Sequence, residues 1–280
     1  MVRSEEGPSS AKRRRRNNDD DRATSKRKHL YLALEDWQPQ DGCSIYKLDA
    51  DSMEPSGRLS GPAALRLAGP QRGRMAFAAV GTSSIVIDTM ARPLRRDDGR
   101  APSTLVYSTE TGALAHGPRV PDEVRDLGEG MSASGRELGD WVLPFRGQAH
   151  FDADLDAWVG LHRDEDGHVC CCLVASRIAV ATRPLECKVL KEKLFRSKQE
   201  VKPGHWSLKP TLTYMGDSRF CLVENVVHGE YYHEGSVIHV TLFGLQYDHK
   251  GGLQTKVRRI ARSYEVSKDT LLFSHAAFWM

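Results

Sequence analysis

The sequence predicts an all-β, β-propeller-like fold behind a disordered basic tail, and three observations carry that prediction. One hairpin pattern recurs along the chain, strand-forming runs return at intervals, and helical spacing is nearly absent. The clearest copy of the pattern lies in residues 139–161, GDWVLPFRGQAHFDADLDAWVGL, which read as strand, turn, strand, acidic tight turn and strand. At its centre Phe151 leads into a turn through Asp152, Asp154 and Asp156, and the chain returns through Ala157, Trp158 and Val159. An aromatic residue, a short polar turn and an apolar return make the sequence form of a β-hairpin. The form recurs at residues 106–114 and 246–253, with a truncated version at 45–49. Repetition of one supersecondary unit points to a repeat architecture.

In chain order, residues 1–28 are mostly Ser, Arg, Lys, Asp and Asn and hold too little apolar surface to fold. The character changes at His29. Residues 29–34 read as a strand, 35–42 as a turn-rich loop and 43–48 as the partner strand; 51–73 form a surface loop with one strand near 64–67. Residues 75–80 and 84–88 pair across Gly81-Thr82-Ser83, 92–102 form a charged loop, and 104–115 make the next hairpin. Residues 117–139, with Pro118, Pro121 and little alternation, read as an irregular linker. Further on, 167–175 is a buried strand and 188–200 the one piece with helical spacing. Residues 211–214 and 219–224 pair across Gly216-Asp217-Ser218, and 237–247 and 253–266 are two longer strands. The organisation is therefore a tail, 1–28, and one β-propeller-like domain, 29–280. Hairpins recurring every 40 to 50 residues or so suggest four-stranded blades, and about 250 ordered residues make roughly five of them.

Composition sets bounds on function. Hydrophobic residues are 40% of the chain and charged residues 28%, enough to bury a core. The net charge of +3 is concentrated in the tail, which argues against a globally basic, sequence-specific nucleic-acid-binding domain. Six cysteines (Cys43, Cys170, Cys171, Cys172, Cys187 and Cys221) include three in succession and no C-x-x-C pair, so reduced thiols fit better than a disulfide framework. No apolar leader is evident, and the most apolar run, 169–181, is too short to span a bilayer and contains Arg177. The expectation is a nuclear or cytoplasmic protein that is not secreted and has no membrane partner.

The tail has its own signal. Lys12, Arg13, Arg14, Arg15 and Arg16 form one basic cluster and Lys26, Arg27 and Lys28 a second, and the pair resembles a bipartite nuclear import signal read by an import carrier. Elsewhere, motifs for chemistry fall short. Asp152, Asp154 and Asp156 begin like a calcium loop, but Ala157 and Arg163 stand where Gly and Glu are needed. His162 and His168 flank an Asp-Gly turn beside Cys170, Cys171 and Cys172 without zinc-finger spacing, so the cysteines read as small apolar core residues. Residues 130–135 miss the nucleophile-elbow spacing, and there is no phosphate-cradling loop. Trp141 and Trp158 lie on predicted strands, where packing between blades is the default role. Lys256, Arg258 and Arg262 share a face on a regular strand and read as a solvated edge. No catalytic, cofactor-binding or metal-binding residue is assigned, and no cofactor is expected.

The runs YMGDSRFCLVE, VTLFGLQYDHKGGL and RRIARSYEV, with residues 139–161, KHLYLALEDW and YSTETGALAHGP, resemble an uncharacterised plant group, expanded in grasses, catalogued as domain of unknown function 1668. The resemblance covers most of residues 28–266 and implies a kelch-type propeller with no established catalytic residue. Members carry further blade-like sequence where this chain has only residues 121–138, so the resemblance also implies an incomplete propeller with exposed sheet edges. Three functions follow as expectations. The first is a non-enzymatic platform for an unknown protein partner, the second an enzyme or carbohydrate-binding propeller with an acidic central channel, and the third a truncated member without independent activity.

Overall fold

Strand β1 (Leu30–Asp36) shows how this chain builds a core. Its side chains alternate between two sides, as in any strand. Leu30, Leu32 and Leu34 enter one buried cluster, and Tyr31 and Ala33 enter another. A strand buried on both faces has no polar side to present, and that explains the unbroken run LYLAL. The computed structural model describes residues 28–36, 42–50, 56–59, 62–68, 75–89, 104–118, 144–164, 167–173, 187–195, 206–207, 210–227, 236–266 and 273–280.

The described residues form strands and turns without a helix, in four sheets arranged as a four-bladed β-propeller. The first sheet joins β1 to β2 (Cys43–Leu48), β4 (Leu65–Leu67) and the last strand of the chain, β18 (Phe273–Trp279). Leu30 pairs with Trp279 and Asp36 with Phe273, so both ends of the domain share one sheet. Backbone bonds between His29 and Met280, at 2.6 and 3.1 Å, extend this clasp. The second sheet is a meander of β5 (Ala76–Val80), β6 (Ser84–Asp88), β7 (Thr104–Ser108) and β8 (Leu114–His116). The third is a meander of β9 (Phe145–Asp152), β10 (Ala157–His162), β11 (Val169–Leu173) and β12 (Cys187–Val189). The fourth holds β13 (Trp206–Ser207), β14 (Thr211–Gly216), β15 (Arg219–Val227), β16 (Ser236–Tyr247) and β17 (Leu253–Glu265). To β17 is added β3 (Ser56–Arg58), which runs parallel while every other described pair is antiparallel.

Three clusters cement the sheets to one another. Tyr31, Ala33, Cys43 and Ile45 meet Ile85, Ile87 and Tyr107, joining the first sheet to the second. Leu30, Leu32 and Leu34 meet Cys221, Val223, Ile238 and Val240, joining the first to the fourth. Val159, Leu161, Val169 and Cys171 meet Leu212, Phe220, Leu222, Phe243 and Leu245, joining the third to the fourth. Among the described residues no buried cluster joins the second sheet to the third. The blades therefore form a chain of contacts, second to first to fourth to third.

Several expectations change. The described residues form four sheets where roughly five blades were expected, and residues 119–139 lie outside the described residues. Residues 187–189, at the edge of the helical candidate, form β12 instead, since the backbone of Cys170, Cys171 and Cys172 pairs with them; residues 190–195 are also non-helical. Trp158 is 46% exposed rather than packed between blades. Trp141, and most of the linker through residue 143, lie outside the described residues. The register of β16 with β17 shifts on both sides of Gly244, so simple alternation does not carry from Lys256 to Arg262. The side chains of Arg258 and Arg259 are outside the described set. Among the described residues no helix is long and apolar enough to cross a membrane.

Candidate functional site

The features most open to a partner are the sheet faces turned away from these clusters. In the second sheet Ile85, Ile87 and Tyr107 face the core. Alternation sends Ala76, Ala78, Val80, Val86, Val106 and Ala115 to the opposite face, together with Ser84, Asp88, Thr104 and Ser108. Val86 and Val106 are half-buried, while Ala76, Ala78 and Ala115 are exposed and Val80 is 54% exposed. The exposure is confined to part of this face, since Asp88 and Thr104 on it are buried.

The third sheet repeats the situation. Ala157, Val159, Leu161, Val169 and Cys171 enter the core. The other face carries Ala149, Phe151, Trp158, Gly160, Cys170 and Cys172, of which Gly160, Cys170 and Cys172 are buried and Phe151 and Trp158 exposed. Phe151 sits directly opposite Trp158, and their rings meet tilted at 58° with centroids 5.8 Å apart. Such a cross-strand aromatic pair stiffens the hairpin. Phe151 is 41% exposed and Trp158 46%, so the pair also presents a broad apolar surface. Phe145 packs over Gly160, and a Cβ there would stand 2.6 Å from the ring.

On the same face the strands assemble a group of sulfurs and an imidazole. The alternation that puts Cys171 in the core, with its sulfur 3.6 Å from the Tyr247 hydroxyl, turns Cys170 and Cys172 outward. Pairing of β11 with β12 sets Cys187 opposite Cys172 and diagonal to Cys170. His162, at the end of β10, completes the group: one donor atom from each of His162, Cys170 and Cys187 lies within 4.8 Å of the others. Burial, with the neighbouring Cys187 second, pushes the Cys170 thiol far up and that of Cys172 to about 12. All six cysteines are free.

The sequence pointed at His162 and His168 together, and the structure separates them. His168 Nδ1 is 2.7 Å from the Leu190 carbonyl, which it donates to as its N–H tautomer, and it is not one of the converging groups. Cys187 takes that place. Residues 174–186 intervene in sequence, and only the strand register brings it in.

The acidic turn is structural. Asp152 is fully buried, and its Oδ1 accepts bonds from Asp154 N at 3.0 Å, Leu155 N at 2.9 Å and Ser218 Oγ at 3.0 Å. Asp156 adopts φ +47°, as a tight turn needs, and the calcium-like spacing resolves into a hairpin turn. A second buried carboxylate, Glu35, accepts from Met75 N and from Ser274 Oγ, the latter at 2.7 Å. In the tail Lys12, Arg13, Arg14, Arg15, Arg16, Lys26 and Arg27 lie outside the described residues, and Lys28 is exposed where they begin.

Four sheets, ordered along the chain and clasped by the pairing of β1 with β18, define a β-propeller with exposed apolar side chains on its second and third sheets. The family model described as a protein of unknown function, DUF1668, matches residues 27–126 and 132–264, and the chain belongs to that family. Among curated proteins none matches.

Proposed function

We propose that this chain is a non-enzymatic interaction platform, a kelch-type propeller whose uncovered faces on the second and third sheets take up an apolar, sheet-forming partner protein. The observation that supports the reading is the set of exposed apolar side chains on the faces of the second and third sheets turned away from the buried clusters. Val80, Phe151 and Trp158 are large, apolar and roughly half exposed there. A soluble chain leaves such area uncovered at a cost unless something is to bind it. The buried carboxylates Glu35 and Asp152 are occupied by backbone and hydroxyl donors, which favours a platform over an acidic catalytic channel.

The test is chemical cross-linking in the native tissue, comparing the intact protein with Trp158→Ser and Val80→Ser. The platform reading expects partners that cross-link to the intact chain and are lost from both variants, each of which still melts in one cooperative transition, Trp158→Ser at a somewhat lower temperature because it loses the contact with Phe151. Equal capture by all three overturns it. The same uncovered faces also favour the reading of a shortened family member without activity of its own. That reading expects large assemblies and a broad melt, where the platform expects a sharp transition. Nuclear entry through the basic tail belongs to the same proposal, and nuclear accumulation that persists after deletion of residues 1–28 would refute it.

A further inference from the structure

We propose that His162, Cys170 and Cys187 form a zinc site on the outer face of the third sheet, with Cys172 as the neighbouring fourth donor. The donor set is the argument. Zinc takes tetrahedral nitrogen and thiolate ligands, with Zn–S about 2.3 Å and Zn–N about 2.0 Å, which places donors roughly 3.3–3.8 Å apart. One atom from each of His162, Cys170 and Cys187 already lies within 4.8 Å of the other two, so adjustments of about an ångström complete the geometry. Cys172 lies directly opposite Cys187 in the strand pairing, outside the group of three but next to it.

The site is also placed as a structural zinc site should be. Its ligands come from three adjacent strands, β10, β11 and β12, so a metal would pin the sheet edge at β12 to its centre. Cys170 is buried, while His162 and Cys187 are half-buried, which leaves a route of entry. The packing role expected for apolar cysteines explains Cys171, which sits in the core cluster. It does not explain why Cys170 and Cys187 converge on an imidazole, with Cys172 in the adjoining register position. Their raised thiol affinities for protons describe the metal-free state, in which burial opposes thiolate charge; a divalent cation removes that opposition and releases protons as it binds.

Loading changes two present contacts. The Cys170 thiol now donates to the Pro144 carbonyl at 3.9 Å, and the Asp164 N–H to His162 Nδ1 at 3.2 Å. Both give way. Ligation through Nδ1 displaces the Asp164 donor, and ligation through Nε2 moves a proton onto Nδ1, which then repels it.

The experiment uses the full-length chain, purified under reducing conditions and stripped of metal, titrated with cobalt(II) as the spectroscopic stand-in for zinc. The expected result is one equivalent bound, with tetrahedral ligand-field bands and a sulfur-to-cobalt charge-transfer band, both lost on adding zinc. Cys187→Ser and His162→Ala should each weaken binding by more than the roughly 10–100-fold typical of losing a supporting group. Cys172→Ser should shift the charge-transfer intensity, and the exposed His249→Ala should leave the titration unchanged. Circular dichroism of each stripped variant shows whether it is folded. Absence of the bands in the folded intact protein overturns the proposal, as does equal cobalt affinity in folded Cys187→Ser. A mass lighter by two hydrogens, mapped to a Cys172–Cys187 bond in the protein isolated without reductant and persisting in zinc, overturns it in favour of a disulfide.

Discussion

Replacing Asp152 by alanine and by asparagine should give very different proteins, and the difference can be worked from its contacts. All three hydrogen bonds to this carboxylate converge on Oδ1. The other oxygen, Oδ2, is buried without a partner among the described residues. Alanine removes the acceptor and strands the Leu155 N–H and the Ser218 hydroxyl in a buried place, Ser218 being 3% exposed. Each stranded donor costs about 1–3 kcal/mol, and relief of a buried charge offsets part of the sum, leaving a loss of roughly 3–4 kcal/mol. Asparagine keeps an oxygen at Oδ1 and puts its NH2 where Oδ2 already lacks a partner. It gives up charge assistance but also the cost of burying a charge, for a net change of about 1 kcal/mol or less. Ser218→Ala should cost about 1 kcal/mol alone and almost nothing on top of Asp152→Ala, because the bond they share is gone already. Urea unfolding followed by tryptophan fluorescence measures all four proteins. If asparagine is as damaging as alanine, the negative charge itself is needed, and Oδ2 faces a cation that this account omits.

Two further outcomes follow from single contacts. His275 donates from Nε2 to the Val223 carbonyl, 3.1 Å away between the first and fourth sheets, and burial holds its proton affinity down to about 4 from 6.5. The folded state then resists protonation, so its stability is full above pH 6.5 and declines as pH falls toward 4, by at most about 3 kcal/mol. His275→Gln, which keeps a donor but does not titrate, should flatten that part of the curve of melting temperature against pH; an unchanged slope refutes the assignment. His150, its proton affinity also lowered by burial, adds a slope of the same sign. Gly160→Ala puts a methyl 2.6 Å from the Phe145 ring and should destabilise by about 1–3 kcal/mol. Pairing it with Phe145→Leu should recover part of that loss in the same melt, and no recovery would mean that the ring is not the obstacle.

How far the sequence could be read depended on whether the signal was local. The tight turn at Asp152–Asp156, the Gly81 and Gly216 turns and the existence of strand β1 were all legible, because strand and turn chemistry act within a few residues, whereas the burial of β1 on both faces appeared only with the fold. Lys188 looked helical because its neighbours repeat with that period, yet strand pairing with Cys171 overrode the preference. The parallel pairing of β3 with β17 joins segments some 200 residues apart and leaves no local mark. Trp158 fails for another reason. Alternation says which residues share a face, but not whether that face is covered. The same holds for the cluster at His162: two of its cysteines were visible side by side, and the third arrived only with the register of β12.

The order of the blades makes one more prediction, and it concerns the whole domain. A closed propeller supports every blade from two sides. Among the described residues the first and fourth sheets each share buried clusters with two neighbours, while the second and third each share one. The third is anchored by a large set including Leu161, Leu190, Leu194 and Phe195 against Phe220 and Phe243. The second contributes chiefly Ile85, Ile87 and Tyr107, and its outer strands β5 and β8 are largely exposed. Local opening is easiest where buried apolar area is least. Amide hydrogens of residues 76–88 and 104–116 should therefore exchange at a lower opening free energy than those of residues 219–227 and 236–247, with the third sheet between them. Native-state hydrogen exchange with mass spectrometry reads that order directly. Uniform protection across the four sheets would mean that the second and third blades support each other after all, and the uncovered faces on which the platform rests would be covered by the chain itself.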